Sequence, residues 1–456
     1  MLKTMKRFTL RGRTGALFAV TLGSSIVLLD GNIVNLALPA MGADLGVGFA
    51  SMQWISDAYL LSLSALILLG GSLGDIFGHK KVYMVGIVGF GIGSLACALA
   101  PTAPLLIAAR ILQGVFGALL VPGALAIINT NFPIAERSKA VGRWAGWSSI
   151  AIVIAPFLAG LILSVASWRL IFLINIPLVI ICAFMAVRTV AENKSPHPRN
   201  IDYVGASLIT ASLAGITYGL IEGPVQSWAL NTIISLVVGF VSLGLFVWHE
   251  KRSRDPMVRM TLFRSRNFFG ANLMTFLMYG ALGGFMFVLA IHLQTALQYT
   301  AFQAGLAVLP VSLFLLFFVG KVGELVPKYG ARIFMTAGPL IAAAGVALLA
   351  FLKPGDEYIT GILPGILLYG AGFALLVSPL ITTVMTSVSE HQSGIASGIN
   401  NAVSRAAGLI VIAILGLFGS EKAYVFAMIL CAGMTALAGI ASYIYIRNDD
   451  RLKVSK

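Results

Sequence analysis

Residues 71–81 read Gly71-Ser72-Leu73-Gly74-Asp75-Ile76-Phe77-Gly78-His79-Lys80-Lys81, and residues 323–332 read Gly323-Glu324-Leu325-Val326-Pro327-Lys328-Tyr329-Gly330-Ala331-Arg332. Each is G-x-L-x(4)-G followed by a basic residue, and both glycines are displaced by 252 positions (323 − 71 and 330 − 78). A second match follows in the same order. Gly114-Val115-Phe116-Gly117-Ala118-Leu119-Leu120-Val121 is echoed by Gly370-Ala371-Gly372-Phe373-Ala374-Leu375-Leu376-Val377, displaced by 256 (370 − 114). Two matches at nearly equal displacement predict two copies of one structural unit.

The composition around these motifs names the solvent. Of 456 residues 58% are hydrophobic and 11% charged, against roughly 25% charged in an ordinary globular domain. Such a surface requires lipid, which excludes a soluble enzyme, a disordered chain, a coiled coil and a disulfide scaffold. A β-barrel is excluded because the apolar runs are long and do not alternate. Breaking those runs at Pro, Gly and charge clusters gives fourteen spans, at about 15–38, 52–74, 82–100, 104–128, 139–165, 168–187, 203–221, 229–248, 268–293, 302–323, 331–352, 358–383, 393–418 and 423–446. The repeat makes spans 1–6 and 9–14 copies of a six-helix unit, with spans 7 and 8 inserted. The expected division is residues 1–187 for the first bundle, 188–266 for the linker with the inserted pair, and 267–456 for the second bundle.

The net charge of +14 is explained by topology rather than by nucleic acid. With a cytoplasmic N-terminus, 25 of the 31 Lys and Arg residues fall on the inside, among them Lys80, Lys81, Arg137, Arg143, Arg188, Lys251, Arg252, Arg332 and Arg447. Only Arg169, Lys353 and Lys422 fall outside, while Arg110, Lys321 and Arg405 lie in spans or at their ends. This asymmetry is the positive-inside signal, and it places both termini in the cytoplasm. The first apolar run is too long for a signal-peptide core, so it is read as span 1. Asn193-Lys194-Ser195 fits a glycosylation sequon on a side where it has no meaning. Cys97, Cys182 and Cys431 all lie in apolar runs and read as buried thiols, not disulfides or metal ligands.

At the level of motifs, residues 71–81 resemble the loop signature of the major facilitator superfamily. Leu29-Asp30-Gly31-Asn32-Ile33-Val34-Asn35-Leu36-Ala37-Leu38-Pro39 resembles the first-span signature of its fourteen-spanner drug:proton antiporter branch. Arg110-Ile111-Leu112-Gln113-Gly114 resembles the fourth-span motif, and residues 167–177, from Ser167-Trp168-Arg169 to Asn175-Ile176-Pro177, resemble the start of the sixth. Ile201-Asp202-Tyr203-Val204-Gly205 and Gly394-Ile395-Ala396-Ser397-Gly398-Ile399-Asn400-Asn401 extend the similarity over nearly the whole chain. Departures are Ile76 and His79 where arginine is usual, Asn32 where threonine is usual, and Ala155-Pro156-Phe157-Leu158-Ala159-Gly160 in place of G-P-x-x-G-G. The resemblance implies an all-α membrane protein of two six-helix bundles related by an axis along the membrane normal, with a substrate site between them at mid-depth. It implies alternating-access transport of small molecules with proton coupling in a bacterial plasma membrane, by a monomer without a cofactor.

Few acids interrupt the spans, and Asp30 alone lies deep inside one, about fifteen residues in. A carboxyl there can load and release a proton, the chemistry a proton-coupled carrier needs, and the family pattern brings in Arg110 as its partner. A static buried ion pair that fixes helix packing is the alternative. Asp57, Glu222 and His292 sit near outer span ends, where they either face water or sense external pH.

In the repeated loop Gly71, Asp75, Gly78 and Lys80 form a candidate conformational latch, with Asp75 able to bind helix N-termini or basic groups across the bundle interface in one access state. The second copy, Gly323, Gly330 and Arg332, has Pro327 in place of that acid. Ala155, Pro156 and Gly160 give the fifth span a smooth interface face, although packing alone also explains them. Asn35, Gln113, Asn400, Asn401 and Arg405 are candidate cavity residues.

Gly89, Gly91 and Gly93 lie in a span, follow no strand and have no P-loop companion, so nucleotide binding is not indicated. No HExxH or CxxC is present, and the longest loop, 249–266, reads as a basic linker. The chain is expected to be a proton-coupled exporter of drugs or amphipathic compounds. A carrier for one metabolite or lipid, or a membrane sensor that no longer transports, are the alternatives. Substrate identity is left open.

Overall fold

The computed structural model describes residues 10–194, 201–388, 392–418 and 423–448. Of the basic residues that orient the chain, Lys3, Lys6, Arg7, Arg199, Lys422, Arg451, Lys453 and Lys456 lie outside those ranges, as does Ser195 of the sequon. The described residues fold into α1 Leu10–Leu45, α2 Phe49–Phe77, α3 His79–Leu99, α4 Ala103–Asn131, α5 Ile134–Val165, α6 Arg169–Leu173, α7 Asn175–Thr189, α8 Tyr203–Val225, α9 Leu230–Arg252, α10 Arg266–Thr295, α11 Ala301–Tyr329, α12 Ala331–Leu349, α13 Leu363–Thr386, α14 Ser393–Leu415 and α15 Ala423–Tyr445. Thirteen helical segments are long and apolar enough to cross a membrane, and α5 carries a shorter apolar stretch, Ile154–Val165. Helices satisfy the backbone within each segment, as the bilayer interior requires.

Two expected spans are interrupted. The sixth breaks at Ile174 into α6 and α7. Pro177 has no N–H to give the Leu173 carbonyl, so the ladder is open where the break falls. The twelfth begins with a π-helical turn, Tyr358–Ile362, before α13.

The packing repeats as the sequence does. In the first bundle α2 and α3 pack on α4, α1 packs on α5 and α7, and α3 packs on α7. In the second, α11 and α12 pack on α13, α10 packs on α14 and α15, and α12 packs on α15. Small residues permit this closeness: a β-carbon on Gly114 of α4 would lie 2.4 Å from the Tyr59 carbonyl of α2. Between bundles α5 meets α11, α2 meets α14 and α1 meets α10, a set that maps onto itself when the halves are exchanged. The inserted pair breaks this symmetry. Helix α8 packs on both α2 and α14 and covers that seam, and α9 packs on α8. The outer face of α9 is apolar and exposed, through Ile233, Val237, Phe240 and Val241, as suits a lipid-facing surface.

The face opposite the chain termini is closed. There Gln53 Nε2 donates to the Ile412 carbonyl (2.6 Å), Gln294 Nε2 donates to the Leu36 carbonyl (3.0 Å), and Phe157 packs on Phe302 with ring centroids 6.1 Å apart. Nearer the termini, a β-carbon on Gly142 or Gly146 of α5, or on Gly320 of α11, would meet nothing within 4 Å.

Candidate functional site

Asp30 lies midway along α1 and is wholly buried. Its Oδ2 accepts from Arg110 Nη1 of α4 at 2.5 Å, and its Oδ1 accepts from Gln113 Nε2 (2.8 Å) and from Asn175 Nδ2 (2.9 Å), the first residue of α7. Gln113 and Asn175 also donate to Ser94 Oγ of α3, at 2.9 and 3.3 Å. Arg110 Nη1 donates to Gln113 Oε1 (2.7 Å) and Nε to the Ile55 carbonyl (3.1 Å), while the guanidinium lies 4.1 Å from the Tyr59 ring centroid. Five helices, α1, α2, α3, α4 and α7, therefore contribute to one cluster around this carboxylate.

Taking two such ions from water costs several kcal/mol each, and only close pairing with further hydrogen bonds offsets it. Both requirements are met here. Three donors reach the two carboxylate oxygens, and Arg110 keeps two neutral acceptors besides Asp30. The break at Ile174 aims the Asn175 amide at Asp30, so the irregular backbone serves the cluster.

The remaining residues singled out in the sequence fall in several places. Gln113, expected in the cavity, is instead wholly buried and spent on Asp30, because its position one turn beyond Arg110 puts both on the face toward α1. Asn35 accepts from Ser56 Oγ at 3.4 Å and, with Asn32, Pro156 and Met286, lines a cavity of about 30 Å³, too small for a drug. Asn400 Nδ2 donates to Thr275 Oγ1 (2.7 Å) and Asn272 Oδ1 (3.2 Å), tying α14 to α10, and Asn401 Nδ2 donates to the Ser397 carbonyl. Arg405 extends from α14 toward α1, with Nη1 4.0 Å from the place a β-carbon of Gly31 would take.

Asp57 differs from both expected roles at a water-facing end. It is wholly buried, and neither carboxylate oxygen has a hydrogen-bond partner among the described residues. Helices α8 and α14 pack on α2, the helix that carries it, which its sequence position does not reveal. Glu222 accepts from Trp54 Nε1 (2.8 Å), and His292 stacks on Tyr424 with centroids 3.5 Å apart. Cys97, Cys182 and Cys431 are buried free thiols.

At the latch, Asp75 Oδ1 lies 3.4 Å from His79 Nε2 within its own turn, not against the other bundle. Gly78 adopts φ +104°, and the first turn of α3 is closed by Glu192, which accepts from the backbone of Lys80 and Lys81 at 3.2 Å. Lys80 Nζ donates to the Val187 carbonyl. Gly71 faces Pro122 of α4, and Gly323 faces Ser378 of α13. Gly330 adopts φ +82°, and Asn448 Oδ1 accepts from the Arg332 backbone at 3.1 Å, while the Arg332 guanidinium donates to the Tyr443 carbonyl. Glu192 and Asn448 are 256 residues apart (448 − 192), a further correspondence that sequence reading missed because neither residue adjoins its loop.

Along the α5–α11 seam, a β-carbon on Gly160 would lie 2.7 Å from Phe302 Cα, and one on Gly305 would lie 2.4 Å from the Pro156 carbonyl; Ala155 is wholly buried. Main chains touch there, and larger residues would hold them apart.

Two six-helix bundles of matching packing, with an ion pair buried within the first, have the architecture of a membrane carrier. The model of the Major Facilitator Superfamily matches residues 20–412. The multidrug resistance protein Stp of Mycobacterium tuberculosis is 34% identical over 402 residues, covering 88% of this chain and 74% of that one. The puromycin resistance protein pur8 of Streptomyces alboniger is 32% identical over 421 residues, covering 90% and 83%. Among solved structures, a POT family transporter in complex with 5-aminolevulinic acid superposes with a TM-score of 0.73 at 15% identity, covering 94% of this chain and 95% of that one, a likeness of fold. The chain belongs to the Major Facilitator Superfamily, and it is a transporter of small molecules, not an enzyme.

Proposed function

We propose that the chain exports drugs and other amphipathic small molecules in exchange for protons, by alternating access, as a monomer in a bacterial plasma membrane with both termini cytoplasmic. The observation that carries this reading is the wholly buried Asp30–Arg110 pair at the middle of the first bundle. Relatives named for multidrug and puromycin resistance supply the substrate class. The lopsided distribution of Lys and Arg supplies the orientation.

In that orientation the closed face is external and the structure faces inward. Asp30 carries the coupling proton, and Arg110 tunes it. Protonation removes the charge that holds Arg110, whose guanidinium already touches Gln113 Oε1, the Ile55 carbonyl and the Tyr59 ring. The arginine thus has partners in either protonation state, so α1 and α4 can shift without stranding a bare cation. Gly160 and Gly305 allow the external seam to close and reopen. Asp75, engaged by His79 in this state, leaves its own turn and holds the opposite bundle when the cytoplasmic face closes.

The test is proton release. Adding a drug to purified protein in weakly buffered detergent is expected to release protons from the wild type and none from Asp30→Asn. Drug binding without proton release from the wild type overturns the coupling.

A further inference from the structure

The charged groups within the spans are not all paired. Asp30 and Arg110 neutralise each other inside the first bundle. Arg405, in the middle of α14, has no such partner: no described residue pairs with it or accepts a hydrogen bond from it. The other described acids of the second half, Asp255, Glu324, Asp356 and Glu357, lie in loops or at the terminal end of α11, away from mid-membrane. A guanidinium carries five donors and never loses its charge, so at this depth it needs water or an anion.

Its surroundings fit an organic anion. Arg405 Nη1 approaches Gly31, the neighbour of Asp30, across the gap between bundles. Successive helical residues point about 100° apart, which is why Asp30 can turn into its bundle while Gly31 faces the gap. A β-carbon at Gly31 would touch both the Tyr59 ring, at 3.6 Å, and Arg405 Nη1. An unpaired positive charge of the second bundle and the Tyr59 ring of the first thus meet at Gly31.

We propose that Arg405 is the specificity-determining residue of the central site and that the transported class is amphipathic organic anions, bound through a carboxylate or ionised phenol at the guanidinium. This rests on the transport reading and adds the sign of the substrate charge. In the inward-facing state Asp30 and Arg110 cancel, leaving Arg405 as the cation that an anion from the cytoplasm meets. An anion leaving while a proton enters moves charge in the direction an inside-negative potential favours in both steps.

The experiment is equilibrium binding to the full chain in detergent at fixed pH, read by fluorescence anisotropy with fluorescein and rhodamine 6G. These dyes share a ring system and differ in charge. Fluorescein is expected to bind the wild type more tightly than rhodamine 6G. R405Q is expected to weaken fluorescein about ten- to a hundredfold, the loss of one charge-assisted interaction, while rhodamine 6G binds as well or better and so reports an intact fold. R405K, which keeps the charge, is expected to retain most fluorescein affinity. Tighter binding of rhodamine 6G by the wild type, equal loss of both dyes in R405Q, or a lysine variant as weak as glutamine overturns the proposal. Failure to export any compound from vesicles overturns the transport reading and leaves this charge preference standing; a preference for cations does the reverse.

Discussion

Replacing Asp30 by asparagine leaves Arg110 as an uncompensated guanidinium only 1% exposed. Breaking a buried pair by removing one partner costs about 3–5 kcal/mol. The low end applies, because Arg110 keeps Gln113 Oε1, the Ile55 carbonyl and the Tyr59 ring. Asp30→Asn is therefore expected to fold with a clearly lowered melting temperature. The double variant Asp30→Asn, Arg110→Met removes both charges at similar volume and is expected to recover most of that loss. This separates two roles the sequence leaves open. If the pair only fixes packing, the double variant melts near the wild type and still transports. If it carries the coupling proton, the double variant melts near the wild type and shows no gradient-driven transport. Melting in detergent, followed by flux in proteoliposomes, measures both. Gradient-driven flux in a well-folded double variant refutes the coupling role, and a double variant less stable than Asp30→Asn refutes the energetic argument.

Other consequences follow from particular contacts. Gly160→Leu drives a side chain into the Phe302 backbone, 2.7 Å from the β-carbon position. Overpacking of about 1–3 kcal/mol shifts the balance toward external opening by about 5- to 150-fold, and spin-label distances between α5 and α11 should lengthen; unchanged distances would dissociate this seam from gating. Asp57→Asn should raise the melting temperature at pH 8 and favour the closed external face, since neither buried oxygen has a described partner. A lower melting temperature would mean that Asp57 has stabilising contacts. Glu192→Gln removes the anion at the start of α3 and should cost about 0.3–1 kcal/mol without abolishing flux, whereas loss of transport at normal stability would assign Glu192 a direct role.

The fold was legible because lipid leaves few alternatives. Apolar runs of spanning length must be helices, cationic loops orient them, and the glycine-anchored repeat divides them into two bundles. Breaks inside spans were less legible: the interruption at Ile174 depends on Pro177 and on where the Asn175 amide is needed. Asp30 and Arg110 stood out because charges are rare in such runs. Ser94 and Asn175 did not, since a serine or asparagine in a helix can satisfy itself on its own backbone, as Asn32 does through the Leu28 carbonyl. Gln113 was noticed but assigned to the cavity, because spacing alone does not say which helix its face meets. Asp57 looked like a surface group from its place near a span end, but it is buried, and α8 and α14, remote in sequence, pack on its helix. Long-range packing decides such cases.

The most direct measurement of the central claim uses inside-out vesicles from cells expressing the chain. The lumen is made acid, and uptake is followed for a panel of dyes, antibiotics and metabolites. Luminal accumulation of amphipathic compounds is expected, ending when an ionophore collapses the pH gradient and absent in the Asp30→Asn, Arg110→Met variant. Accumulation that continues at the same rate without the gradient would contradict the claim.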